Sequence, residues 1–384
     1  MSEYQYYEFV AIDQPLTSAQ MAELRARSTR ATITPTSFVN VYHWGDLKGD
    51  PIDWMRRYFD AFVYVANWCS CRFALRFPCN VFAVKELSSF MTERALTLEK
   101  SSDHWIIEWG LSESEDYDRF GSEQGEGWMG RLVALRDELL RGDYRALYLG
   151  WLAGVTAGEV AEDCLEPDIP PGLLRLTAAQ QSLAEFIEVD PDLLAAAASE
   201  SPGMDDESSD TEVEMDEWLE NVGIDEARAS LKLLLKGQSQ QAERQLRLRF
   251  LAWQKGRALQ AERLKERRSV AELWKKAEVA RKSRLRRAEE DLAQLKAEQR
   301  RRREAHLAML AADFGSHWSA VDRMAEQGIA SAYQEATQAL ADLSEAYDLH
   351  ASRAEFDARF RGFAERHGRR TALVRRLKSA GLWR

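Results

Sequence analysis

Residues 51–78 read PIDWMRRYFDAFVYVANWCSCRFALRFP, and how this stretch divides decides the fold. Asp50 followed by Pro51 is a helix start, because the carboxylate can accept the first free N–H groups and proline is tolerated in the first turn. Trp54, Tyr58, Ala61, Phe62 and Val65 recur at three- and four-residue steps, so the spacing predicts one amphipathic helix reaching about Val65. Residues 72–77, RFALRF, carry β-favouring aromatic residues and stop at Pro78, which reads as a short strand.

The same alternation runs outward on both sides. Residues 4–12 are aromatic and β-branched, as a strand prefers. Thr17 with Gln20 forms a capping-box pattern, and Leu16 with Met21 has hydrophobic-staple spacing, opening a helix to about Arg27. Residues 32–44 read as extended, with Pro35 marking a bend or an edge. Beyond Pro78, residues 85–95 read as a helix, 104–109 as a strand and 112–127 as a polar loop, before helices over 131–140 and 144–155. This order predicts a mixed α/β domain over residues 1–156, with the strand directions left open. Several strands are apolar on one face only, which suits a sheet covered by helices on one side.

A Pro/Gly/acid connector follows and ends in Pro170-Pro171-Gly172, with short helices expected over 178–188 and 191–198, so that residues 157–198 form a second section. The stretch SESPGMDDESSDTEVE at 199–214 is polar, acidic and nearly devoid of large apolar groups. It predicts a disordered linker over 199–216. Residues 217–384 are rich in strong helix formers and contain no proline. They predict a basic, extended helical region. Within it, 238–313 holds one glycine, Gly256, and would make a single helix on the order of 110 Å long, with interruptions at Gly315, Gly328 and near Glu345. The expected fold class is α+β: a mixed α/β amino-terminal domain, an acidic linker and a long, coiled-coil-like carboxy-terminal region.

The net charge of −11 is unevenly spread. Up to Glu220 there are 17 Lys+Arg against 41 Asp+Glu, and from Asn221 onward 35 against 22. The positive excess lies between Arg244 and Arg303, with 21 basic and 8 acidic residues. This polarity fits two partners of opposite charge, or one half contacting the other. Arg281, Lys282, Arg284, Arg286, Arg287, Arg300, Arg301, Arg302 and Arg303 are the candidate nucleic-acid-binding residues, since a basic helix can follow a phosphate backbone and release counterions. Phe250, Trp253 and Trp274 would stack on unpaired bases. The competing reading is a coiled coil: Leu246, Phe250, Trp253, Leu285, Leu292, Leu295, Leu307, Leu310 and Phe314 form a thin seam at three-, four- and seven-residue steps. That seam would be buried by the terminal helices or by self-association. A third reading lays the basic face on the acidic domain or linker.

Motifs that carry chemistry are sparse. Cys69, Cys71 and Cys79 have metal-like spacing, but no fourth ligand stands near them, so small buried thiols are expected. There is no phosphate-binding glycine loop and no dinucleotide fingerprint. Gly121, Gly125, Gly127 and Gly130 lack an accompanying lysine and read as turns. Glu113, Glu115, Asp116 and Asp118 miss the EF-hand register and read as a solvated loop. His43 and Asp46 place an imidazole near a carboxylate without a nucleophile; an enzyme would gain weight if His43, Asp46 and Arg72 converged in a pocket. No catalytic residue, cofactor or metal ligand is expected. Of the 12 tryptophans, seven lie within residues 1–156, where they serve either the core or a partner groove.

The run Tyr4-Gln5-Tyr6-Tyr7-Glu8-Phe9, the stretch Trp44-Gly45-Asp46-Leu47-Lys48-Gly49-Asp50 and the basic ending from His367-Gly368-Arg369-Arg370 to Leu377 resemble uncharacterised bacterial hypothetical proteins over most of the chain. The resemblance implies a bacterial, cytoplasmic setting and carries no activity or ligand. Four cysteines do not make a disulfide framework, and no apolar run approaches the roughly 20 residues of a membrane span. Nor does the amino terminus show a basic-then-apolar leader. A reduced cytoplasmic location without membrane association is therefore expected. The functional expectation is a non-enzymatic protein-interaction or scaffold protein, acting on a protein partner or on itself through the helical arm. The alternative is nucleic-acid binding through residues 244–303.

Overall fold

The stretch AFVYVA, Ala61–Ala66, is a strand buried along its whole length, and here the helical periodicity misleads. The helix capped by Asp50 covers Pro51–Arg57 alone, with Asp50 Oδ1 accepting the Ile52 amide at 3.0 Å. A strand covered on both faces is apolar throughout, so three- and four-residue spacing occurs in it without a helix. Buried Asp60 sits at the break, accepting the amides of Ile12 and Asp13 and pairing with Arg76 at 2.7 Å.

The computed structural model describes residues 4–203 apart from 80, 83, 102 and 113–124, residues 210–237, scattered positions between 239 and 253, and residues 267–383. It has the expected α+β class, with a strand-containing amino-terminal part and a helical carboxy-terminal part. Two compact units are present, Met1–Lys282 and Ser283–Arg384. The segment expected as a linker, 199–216, lies inside the first.

In the first unit, β1 (Gln5–Val10), β2 (Thr32–Ile33), β3 (Ser37–Tyr42), β4 (Ala61–Ala66), β5 (Cys71–Pro78), β6 (Leu96–Lys100) and β7 (His104–Leu111) form one sheet in the order β2-β3-β1-β4-β5-β7-β6. Every pairing is antiparallel. Of the helix expected over 85–95 only α3 (Val84–Ser88) forms; residues 89–95 are turns, bends and irregular chain, and the unexpected strand β6 follows them. The alternation Leu96-Thr97-Leu98 was the signal for it.

Helices cover both faces of this sheet, not one. On the first face Tyr7, Phe9, Phe38, Phe62, Tyr64, Ala74 and Ile106 pack with Leu24 of α1 (Ser18–Arg27) and with Trp54 and Met55 of α2 (Pro51–Arg57). Thr17 and Gln20 make the full capping box that opens α1. On the second face Val63, Val65, Phe73, Leu75 and Trp109 pack beneath α4 (Trp128–Leu132), α5 (Leu135–Leu140), α6 (Arg145–Thr156), α7 (Ala178–Phe186) and α8 (Pro191–Ala198). Helix α6 is buried over almost all of its length. Its Gly150 allows that approach, because a Cβ there would stand 2.8 Å from the Trp109 ring.

The acidic stretch expected to be disordered is structured at both ends: Gly172 donates to Pro202 O at 2.9 Å, and α9 (Asp210–Asn221) starts within it, followed by α10 (Ile224–Leu235). Residues 204–209 lie outside the described residues. A single helix over 238–313 does not form. Helix α11 covers Val270–Ala312, and Ser269 just before it is bridged to Leu165. Ser269 and Glu272 make a capping box there, the Ser269 amide donating to Glu272 Oε2 at 2.8 Å and the Glu272 amide to Ser269 Oγ at 3.4 Å.

Charge explains the docking of this helix start. Buried Arg268 forks onto buried Glu166, with Nη2 to Oε1 at 2.9 Å, and Tyr148 donates its hydroxyl to the same carboxylate. Arg267 pairs with Asp168, and Glu200 takes both Arg268 and Lys276. Val270, Leu273 and Ala277 then join the second-face core. The acid–base contact inferred from the charge split is thus made by the connector and by the first residues of the presumed linker.

The second unit contains the end of α11, α12 (Phe314–Gln327), α13 (Ala330–His350), α14 (Arg353–His367) and α15 (Thr371–Ser379). Its core is aromatic and aliphatic: Trp318, Tyr347, Phe356, Phe363, Leu373 and Leu377. Leu307 and Leu310 of α11 pack on Ala346. Asp313 caps α12, and Gly328 ends it in the left-handed conformation that a helix stop requires. Among the described residues no helix is long and apolar enough to cross a membrane.

Candidate functional site

The first face of the sheet is closed by α1 and α2 at one end, and at the other it bears a polar pocket of about 540 Å³. Its lining is Gln5 and Tyr7 of β1, Gly45 and Asp46 of the loop after β3, Tyr64 of β4, Trp68 and Arg72. Strand alternation puts Gln5, Tyr7, Tyr64 and Arg72 on one face of three neighbouring strands. The loop is tied down over them: Gln5 Nε2 donates to Gly45 O at 3.0 Å, the Tyr7 hydroxyl to Asp46 Oδ1 at 2.6 Å, and the Leu47 amide to the same oxygen at 2.7 Å. Gly45 adopts φ +79°, which a side chain would resist. Tyr64 donates to Gln5 Oε1 at 3.2 Å.

Arg72 forks onto Glu108 of β7, with Nη2 to Oε2 at 3.1 Å, and lies 5.6 Å from the Phe62 ring centroid. Burial works against its charge, but the Glu108 carboxylate outweighs it and holds the guanidinium above its ordinary value. Burial, then the Asp46 carboxylate, pushes Tyr7 well up, and the same two causes push Tyr64 up to about 12. These groups therefore stay in their neutral or paired forms at ordinary pH, which suits binding. A proton-transfer group would need a pKa near the working pH.

A titration consequence follows for Tyr64. Its folded value stands above the ordinary 10.0, so its contribution to stability is complete below pH 10 and is lost as pH rises towards 12. Chemical unfolding across that window should show a falling stability, and Tyr64→Phe should flatten the fall. An unchanged slope in the variant would contradict the assignment.

Of the three side chains whose convergence would favour an enzyme, Asp46 and Arg72 line this pocket and His43 does not. His43 is exposed and packs on Tyr4, ring centroids 5.7 Å apart. Of the tryptophans, Trp54, Trp105, Trp109 and Trp151 are core, whereas Trp44 is 79% exposed and Trp68, at the pocket, 43%. The signal for Tyr7 and Gln5 lay in β1, where alternation puts polar-tipped residues beside the face that also carries Phe9.

The cysteines are separated by the fold. Cys69 sits in the β4–β5 turn at φ +63°, Cys71 donates to Phe186 O at 2.9 Å, and Cys79 follows the far end of β5. Eight strand residues put Cys71 and Cys79 on the order of 25 Å apart. None of the four cysteines is in a disulfide. Among the described residues no group of three or more His, Cys, Asp or Glu converges as metal ligands. Glu113, Glu115, Asp116, Asp118 and Gly121 lie outside the described residues, while Gly125 and Gly127 are in turns.

The second candidate surface is on α11. Every residue from 281 to 302 is exposed. Within the second unit this leaves Leu285, Leu292 and Leu295 at 48%, 51% and 52% exposure. Lys282 pairs with Glu278, Arg286 with Glu290 and Arg302 with Glu298, while Arg303 pairs with Asp342 at 2.9 Å and with Glu345. Arg281 lines a shallow pocket with Asp190, Asp192 and Trp274. Arg284 also makes an interaction. Arg287, Arg300 and Arg301 are exposed without an ion pair among the described residues. At 100° per residue, consecutive positions such as 300–303 point all round the helix, so the basic residues do not form one face. Phe250 is buried against Trp218 at 5.4 Å and Trp253 at 6.1 Å, and is not presented to a base.

No protein-family model, curated protein or solved structure matches the chain.

Proposed function

We propose that this is a non-enzymatic interaction or scaffold protein, in which the sheet domain recognises a partner and the long helix assembles copies. The observation that carries it is the exposed length of α11 with its leucines at seven- and three-residue steps. Such a helix, polar elsewhere, gains stability by burying that stripe against another. The pocket, with its paired charges and raised tyrosines, supports binding on the sheet domain. Four cysteines outside any disulfide, and the resemblance to bacterial proteins sharing the YQYYEF opening, support a reduced bacterial cytoplasm as its setting.

Light scattering on the full chain over a range of concentrations tests this. The mass should rise from one copy towards two, and a single-copy mass at every concentration would overturn the assembly reading. Arg287, Arg300 and Arg301, exposed and unpaired among the described residues, favour nucleic-acid binding as a second reading. It calls for binding by the full chain that weakens steeply with added salt.

A further inference from the structure

We infer that two copies of the chain pair through residues 284–298 of α11 as a parallel, in-register coiled coil. The inference rests on the self-association proposed above and adds its direction and register.

Placing Leu285 at position a of a heptad puts Ala288 at d, Leu292 at a and Leu295 at d, all of them exposed. This is the two-stranded seam in miniature, and Gln299 at the next a and Arg302 at the next d end it. The flanking positions are then fixed. Arg284, Asp291 and Glu298 fall at g, and Glu289, Lys296 and Arg303 fall at e.

In a parallel pair each g residue meets the e residue five positions on in the other chain. Arg284 meets the partner's Glu289, Asp291 meets the partner's Lys296, and Glu298 meets the partner's Arg303. All three contacts join opposite charges. The third competes with Asp342 and Glu345, which already hold Arg303, and the first with an interaction that Arg284 already makes, so the three contacts together set the register.

The antiparallel arrangement that overlays the same leucines joins Arg284 to the partner's Glu298 but puts like charges together at the other flanking positions, Lys282 facing the partner's Lys296 among them. Asp291 would face the partner's Asp291, and Glu289 the partner's Glu289. Like charges at these positions oppose association, so the pattern selects one direction as well as permitting it.

The test is a charge-exchange cycle read by sedimentation of the full chain. Arg284→Glu and Glu289→Arg each create two like-charge contacts in a parallel dimer and should raise its dissociation constant about tenfold. The double variant exchanges the charges within each pair and should return the constant to within about twofold of wild type. All the altered side chains are exposed, and circular dichroism checks that the helix is kept. A wild-type chain that stays single would sink the self-association reading itself. A wild-type dimer whose single variants bind normally, or whose double variant is not rescued, would overturn the parallel register and leave self-association standing.

Discussion

Replacing Arg268 with alanine is expected to cost about 3–5 kcal/mol of stability, because it strands a buried carboxylate. Glu166 is buried and accepts two bonds from the Arg268 guanidinium and one from Tyr148. Around this pair the docking of the α11 start is built: Glu166 N donates to Arg268 O and Val270 N to Cys164 O, each at 3.0 Å. Glu166→Gln keeps most hydrogen-bonding atoms but leaves the buried Arg268 charge with half-exposed Glu200 as its remaining counter-ion, so it should also destabilise, by less than Arg268→Ala. Lys276→Ala removes the half-exposed pair to Glu200 and should cost less than about 1 kcal/mol. Denaturant unfolding followed by tryptophan fluorescence makes the comparison. An Arg268→Ala midpoint equal to that of Lys276→Ala would refute the buried-pair argument.

Trp109→Ala should be of similar size, about 3–5 kcal/mol, by a different mechanism. The indole is fully buried, stacks on Phe73 at 5.4 Å and donates Nε1 to Ala146 O at 2.9 Å. It fills the contact between β7 and α6 that Gly150 leaves open. Truncation opens a cavity and removes the indole's hydrogen bond to the Ala146 carbonyl. Trp109→Phe fills part of that space and should recover part of the loss. Alanine substitution at Trp44, which is exposed, should leave stability within about 0.5 kcal/mol of wild type. Equal losses at the two positions would mean that α6 does not seat on the sheet as described.

The contrast between these tryptophans marks how far local reading reaches. Thr17–Gln20 and Asp50–Pro51 were legible because a cap is a contact between near neighbours. Ser269–Glu272 was legible by the same rule, but the surrounding basic, proline-free composition masked it as helix interior. Strand β4 was misread because burial on both faces erases the two-residue alternation. Leu96-Thr97-Leu98, just past the helix expected over 85–95, was too short an alternation to read as a strand without its partner β7. In the pocket, Asp46 and Arg72 stood out in the sequence, whereas Gln5 and Tyr7 became site residues only once β1 lay between β3 and β4.

By itself the amino-acid sequence determined the α+β division, the helix caps, the charge polarity and the spacing of the α11 leucines, since each depends on residue type and short spacing. Tertiary structure alone decided three things: that the strands form one antiparallel sheet, that helices cover both its faces, and that Arg268 meets Glu166 across 102 positions. The physical reason is common to all three. Strand pairing and a buried ion pair gain their energy from groups far apart along the chain, and no local preference encodes which distant group will be there.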